Sequence, residues 1–424
     1  MARKLNAELW DKMHYMFRDF NDRMVHVELH YDFRIDIHAL KTVLICFLEK
    51  APVLHSSFAG SPINPYWSVK DYKIEDVLTI SEPKNLQEEI DHFLTQYIPP
   101  ESDLQIKVAL FYHKNKSVLC IVENHMCMDG GDLKYFLNAL SLNYTEYVKN
   151  KKSPLAIKTG TRSYDRVYSD LSPTDQKAAQ KLYKNVSSRD KHGFPLTPDS
   201  KNDRSFIVRR DFDSERFRKL RAAGKKAGAT VNDLLIAIYM HSLYEIANFG
   251  EDESLSVSCA VDLRRHIKDT SKDGLTNHTA FMQCLTPKKG RNINETLAYV
   301  MRSTEKNKQD RFLGLYSLPL LKLAYSILPY AASEEIIKIG YSNPLIGMSN
   351  IGVLDAEKLA LDGNKPTYGF LTGAVKYKPY VLLSAISLNN MLTLSMCVKG
   401  NEEDKKIVNR FFDLLEKNFD ELSK

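Results

Sequence analysis

Residues 118–140, VLCIVENHMCMDGGDLKYFLNAL, read in order as a strand, a polar loop and a helix. Val118, Leu119, Cys120 and Ile121 form an unbroken apolar run, the mark of a buried strand, while Leu133, Phe136, Leu137 and Leu140 recur at helical spacing. Between them stand Asn124, His125, Asp129, Gly130 and Gly131. A histidine leaving a strand end, with Asp-Gly four residues on, suits acid–base chemistry. The strand fixes the imidazole, the aspartate accepts hydrogen bonds that hold the turn, and the glycines allow a tight reversal into the helix. A side chain at such a junction faces open space instead of packed core, which is where a base must stand.

Working outward, 105–112 and 117–123 form a hairpin around the polar turn HKNK. Upstream, Leu9, Met13, Met16, Phe17 and Phe20 place an amphipathic helix over 5–20, followed by a strand at 25–31 and a helix at 37–50 that ends before Pro52. From 150 to 203 the chain is rich in Lys, Ser, Asp, Thr and Pro, with one short helix near 176–184, and reads as a connection between halves. The second half opens with a strand at 206–212 and a basic helix at 214–227 that Gly228 breaks. Thr230 and Asp233 then form a capping box for a helix that is apolar nearly all round, and therefore buried. A strand at 254–261 runs into Asp262-Leu263-Arg264-Arg265, and two helices near 294–308 and 318–328 lead to GMSNIG at 347–352.

The chain closes with a hairpin at 380–398 and an amphipathic helix at 402–422. Hairpin, strand end, loop and helix therefore occur twice, at 105–148 and at 380–422, but the second loop, VKGNEED, has no histidine. Two like lobes result, one carrying the base. The division is an N-terminal lobe over 1–155, a crossover over 156–204 and a C-terminal lobe over 205–424.

With 424 residues the chain has room for two units of about 200 residues. A net charge of +6, spread without long basic blocks, gives no nucleic-acid footprint, though it favours an anionic donor slightly. The six cysteines are scattered with no CxxC pair, so no zinc knuckle or redox pair is expected. His125, Cys127 and Asp129 lack a fourth ligand and match no zinc spacing, so no metal is assigned. Cys127 is also poorly placed to converge on His125 as a nucleophile. No apolar run reaches the roughly 18 residues of a membrane span, and the N-terminus has no signal-peptide core, so a cytoplasmic protein is expected.

The loop matches HxxxDG, and on it the chain resembles the superfamily of chloramphenicol acetyltransferase, peptide condensation domains, alcohol acetyltransferases and polyketide-associated acyltransferases. Many members read HHxxxDG; here Asn124 replaces the first histidine, and His125 is the position the family uses as base. KAPVLHSSF at 50–58, AGATVNDLLIAIYMHSL and VDLRR are similar to further family segments. Relatives often place an arginine where His55 stands, and its loop-holding role must then pass elsewhere. The resemblance implies a mixed α/β fold of two similar sandwich lobes, a pseudo-dimer with the site between them. It further implies that Arg264 pairs with Asp129, that Asn124, Gly130 and Gly131 support the site, and that Ser349 and Asn350 serve the oxyanion or acceptor side.

The implied activity is transfer of an acyl group from a thioester, acyl-coenzyme A or a carrier-bound phosphopantetheinyl donor, to a small alcohol or amine. His125 would act as general base, with no bound cofactor. With no carrier or adenylation segment in the sequence, a coenzyme A-dependent O-acyltransferase is the first expectation. Peptide-type condensation with a carrier protein as partner is the second. A third belongs to another class: a non-catalytic module that keeps the fold and binds a carrier or partner enzyme. Release of thiol that depends on His125 separates the third from the others.

Overall fold

The computed structural model describes residues 3–151, 157–184, 190 and 192–424. Its first sheet has five strands in the order Tyr368–Thr372, Met24–Tyr31, Lys116–Asn124, Ile106–His113 and Leu78–Ser81. In register, Ile121 faces both Val27 and Val108, and Leu119 faces both Leu29 and Leu110. All six are buried, which is why the central strand reads as a continuous apolar run. The helices Ile37–Lys50 and Gly130–Asn150 pack together, with the Phe47 and Phe136 rings 4.8 Å apart. Burying each such side chain contributes roughly 1.5–3 kcal/mol.

The second sheet runs Thr279–Thr286, Leu255–Asp262, Ile346–Val353, Val381–Leu388, Met391–Gly400 and Lys376–Tyr377, with Arg204–Phe212 added to Met391–Gly400. Ile346–Val353 lies parallel to both its neighbours. The Thr230 capping box starts the helix Val231–Ala247, buried without a break from Asp233 to Tyr244. Glu402–Leu422 and Ile293–Lys308 flank that helix. The chain is thus a mixed α/β protein of two sheet-and-helix layers, the fold of two similar lobes.

Several local expectations change. The first helix spans Leu9–Met16, not 5–20, because Leu5 belongs to the strand Lys4–Asn6 and pairs with Trp67. Glu8 and Asp11 form the capping box that starts the helix after that strand, and a 3₁₀ turn, Phe17–Asp19, ends it. Lys4–Asn6, Tyr66–Val69 and Ser56–Ala59 make a small third sheet that periodicity did not reveal. The helix Tyr330–Gly340 was likewise unforeseen. Tyr368–Thr372, from the C-terminal stretch, is an edge strand of the N-terminal sheet, so the two sheets do not divide at one point in the sequence. Of the segment 156–204, residues 156, 185–189 and 191 lie outside the described residues; its helix spans Pro173–Lys181. Tyr164, Val167 and Tyr168 from this segment join Trp10, Met13 and Leu263 in a third apolar cluster.

Candidate active site

The strand Lys116–Asn124 stops at Asn124 and the helix Gly130–Asn150 begins at Gly130, leaving 125–129 off the ladder. The loop must then satisfy its backbone in other ways. The His125 amide donates to the Arg23 carbonyl at 2.7 Å, and the Cys127 amide to the Asn124 carbonyl at 2.8 Å. Asn277 Nδ2 donates to the carbonyls of His125, at 2.8 Å, and Met126, at 3.3 Å. Arg162 Nη2 donates to the Met126 carbonyl at 3.1 Å while its guanidinium grips Asp11 with two bonds, at 2.8 and 2.9 Å. Arg162 therefore ties the loop to the first helix. His55 itself bonds the Lys70 carbonyl at 2.6 Å.

Asn124 is fully buried; its Oδ1 accepts from the Met126 amide at 3.1 Å and its Nδ2 donates to Gln105 Oε1 at 2.8 Å. It shapes the loop and does not line the cavity. His125 is half-buried and does. Its Nδ1 lies 2.9 Å from Asn277 Oδ1. Since the Asn277 amide nitrogen is already donating to carbonyls, Oδ1 is the acceptor and Nδ1 carries the proton. Nε2 is left with its lone pair and with no hydrogen bond to any described residue. Burial pushes the His125 pKa below its ordinary value, against the opposing pull of its own carbonyl, Asp129 and Asn277. The neutral ring is the resting form at pH 7. His14, from the first helix, stacks on it with centroids 4.5 Å apart and is itself held neutral by burial, then by His125.

Asp129 caps the helix: Oδ1 accepts from the Gly131 and Asp132 amides at 2.9 and 3.0 Å. Its Oδ2 accepts from Arg264 Nη1 at 2.9 Å, the His278 amide at 2.6 Å and the Thr279 hydroxyl at 3.2 Å. Burial alone would raise its pKa; Arg264 and the amides outweigh it and hold the carboxyl well below the usual range. Arg264 Nη2 also meets Asp132 Oδ2 at 2.9 Å, and Lys158 meets Asp132 Oδ1 at 3.2 Å. Neither glycine has a positive φ, so turn geometry does not require them. A Cβ on Gly131 would stand 2.8 Å from Arg264 Nη1, whereas one on Gly130 would meet only Ile351, at 3.8 Å.

The cavity of about 250 Å³ lies between the lobes: His14, His125 and Arg23 come from one side, Ser258, Ser349 and Tyr380 from the other. Ser349 is half-buried on its wall, within the strand Ile346–Val353. Asn350 also lines it, but Oδ1 accepts from the Gly352 amide at 3.0 Å across a bulge and Nδ2 donates to Asn232 at 3.3 Å. A second chamber of about 290 Å³, largely apolar, shares Trp10, Phe17, Phe281 and Tyr341 with the first. Cys127 is buried and its thiol pKa is pushed well up by burial, so it supplies no thiolate. Among the described residues no cluster of His, Cys, Asp and Glu could hold a metal, and no helix is long and apolar enough to cross a membrane.

His14, Asp132, Arg162, Asn277 and Lys376 were not singled out in the sequence. Only Asp132 had a local signal, a second acidic residue in the first turn of the helix.

A condensation-domain family model matches residues 15–271, and the chain belongs to that family. No curated protein sequence matches. Among solved structures it is similar to a trichothecene 15-O-acetyltransferase from Fusarium sporotrichioides, at TM-score 0.71 and 12% identity over 99% of this chain and 95% of that one. It is also similar to the first condensation domain of the calcium-dependent antibiotic synthetase, at TM-score 0.68 and 14% identity over 100% and 98%. Polyketide synthase associated protein 5 from Mycobacterium tuberculosis follows at TM-score 0.67 and 14% identity over 97% and 98%. At these identities the likeness shows the fold, that of the chloramphenicol acetyltransferase type; the condensation-domain family match supports a transferase role in the broad sense.

Proposed function

We propose that the chain moves an acyl group from a phosphopantetheinyl thioester, on coenzyme A or on a carrier protein, to the hydroxyl or amine of a small molecule. The observation that carries this reading is His125 itself, protonated at Nδ1 by its bond to Asn277 and unbonded at Nε2, on the wall of an inter-lobe cavity. Nε2 takes the proton of the acceptor as its oxygen or nitrogen attacks the thioester carbonyl. The tetrahedral oxyanion collapses, the carbon–sulfur bond breaks, and the leaving thiolate recovers the proton from the imidazolium. Ester or amide and free thiol are the products. Ser349 is the candidate donor to the oxyanion, and Asn350 holds the bulge beneath it. The apolar chamber behind Trp10 and Phe17 suits an alkyl chain on the acyl group. Asp129, Arg264, Asn277 and Arg162 position the loop and touch no reactant.

Thiol release measured across acyl-coenzyme A and acyl-carrier donors, with alcohols and amines, tests the reading. Release that needs both an acceptor and His125 is expected; none with any pair would leave a binding module of the same fold.

A further inference from the structure

The geometry points to a carboxylate-binding subsite at Lys376, backed by Arg23, on the wall of the cavity that holds His125, so that one of the two substrates carries a carboxylate near its reacting atom. The inference rests on the acyltransferase reading and names the substrate class for it.

The chain crosses between lobes here. Tyr368–Thr372 pairs in the N-terminal sheet, and Lys376–Tyr377 then pairs in the other sheet, with Lys376 bridged to Asn21. Lys376 is partly exposed and lines the cavity, and its ammonium makes no hydrogen bond or ion pair with any described residue. Arg23 lies on the same wall, 2% exposed and held at φ +61°. Its Nη2 donates to the Tyr97 hydroxyl at 2.7 Å, but Nε and Nη1 have no partner among the described residues. Buried cations are normally paired. Burial pushes the Lys376 pKa down to about 8, still above neutral, and Asp22 is the carboxylate that opposes that shift; burial pushes Asp22 itself up to about 7, so it offsets at most one of two positive charges at neutral pH. The other cations of the cavity are occupied: Arg264 by Asp129 and Asp132, Lys134 by the Ile351 carbonyl at 2.8 Å. A surplus positive charge therefore faces the space beside the base.

That surplus is misplaced for a phosphate of the donor arm. Lys376 acts electrostatically on His125, and Lys376 and Arg23 both act on His14, whose ring stacks on His125 in the same cavity, so these cations stand beside the base. A pantetheine whose thioester reaches His125 has its phosphate at the far end of the arm. A carboxylate within a few bonds of the acceptor hydroxyl, or of the acyl carbonyl, fits instead.

Binding to the full chain, measured by calorimetry without turnover, tests this with two matched pairs. 3-Hydroxybutyrate against its methyl ester probes the acceptor, and malonyl-coenzyme A against acetyl-coenzyme A probes the donor. In one pair the acid should bind about tenfold tighter than its neutral partner, the scale of a charge-assisted hydrogen bond. Lys376→Met should erase that preference and Lys376→Arg should retain it. Equal binding within both pairs, or a preference that survives in Lys376→Met, overturns the subsite. The two readings fail separately. Thiol release with no acid preference removes the subsite alone, while acid preference with no thiol release removes the acyltransferase and keeps the subsite.

Discussion

The loop and helix that carry His125 have a counterpart in the other lobe, and the two differ in one respect. Gly130–Asn150 and Glu402–Leu422 are both 21 residues long and each follows a hairpin. Asp129 caps the first helix through the amides of Gly131 and Asp132, and Asn401 caps the second through the amides of Glu403 and Asp404, at 2.9 and 3.0 Å. Three residues past each cap stands a buried aspartate, Asp132 or Asp404, and each meets a cation from a distant segment. Arg264 and Lys158 serve the first; Lys378 serves the second, 2.9 Å from Asp404 and 2.8 Å from Asp203. The carboxylate, cap and cation are thus a fixture of the lobe, present also where the loop carries no histidine. Only the approach to the cap differs. In the second copy the strand Met391–Gly400 runs up to Asn401, and the position four before the cap is Cys397, paired in the ladder with Ile207. In the first copy the strand stops early and the same position is His125, freed from the ladder and held by Asn277 and Arg23. The candidate base stands where five residues, 125–129, leave the sheet.

The comparison can be broken in order of effect. Arg264→Ala leaves Asp129 and Asp132 buried without their guanidinium, and Lys378→Ala leaves Asp203 and Asp404 likewise; each should cost about 3–5 kcal/mol in urea unfolding. The lobes should part in activity. Folded Lys378→Ala should keep its turnover per molecule, whereas Arg264→Ala should lose most of it. Equal turnover in both would show that the cap at Asp129 has no bearing on His125.

Next, Asn277→Ala removes the partner of Nδ1 and two bonds to the loop carbonyls. A misplacement of the base by about 1 Å is worth up to ~10²-fold. A fall in kcat of about tenfold to a hundredfold per folded molecule is therefore expected, with a loss of roughly 1–3 kcal/mol in stability from the unpaired loop carbonyls. A large loss of melting temperature with kcat intact would make Asn277 a structural residue only.

The smallest effect is on pH dependence. The base works deprotonated, and burial lowers the His125 pKa, so the acid limb of kcat/KM should have its midpoint below the ordinary ~6.5. A midpoint above 6.5 would mean that the ring is solvated or faces a carboxylate.

What could be read from the sequence was what is local. The apolar run before Asn124, the helical stripe after Asp129, the Thr230 capping box and the bounds of Ile37–Lys50 and Glu402–Leu422 follow from neighbours within a few residues. The repeated hairpin and helix were legible for the same reason. Asn277 and Arg162 were not. Each reaches the loop across more than thirty positions from segments with no periodicity, and their role depends on where two chain crossings meet. His14 sat on a helix whose apolar face was plain, but nothing in the spacing said that its polar edge faced the base. Lys376 depends on Tyr368–Thr372 joining the other lobe's sheet, a pairing that no local pattern encodes. The sequence points to backbone freedom in the turn as the role of the glycines; neither has a positive φ, and the close approach is that of Arg264 to Gly131.

One measurement bears most directly on the role of the imidazole: single-turnover acyl transfer by His125→Ala, with the best donor and acceptor at saturation. The rate constant should fall by about 10²–10⁴-fold, while donor affinity and the urea midpoint stay within error of the parent. A variant that transfers the acyl group at an undiminished rate would contradict the assignment of His125 as the base.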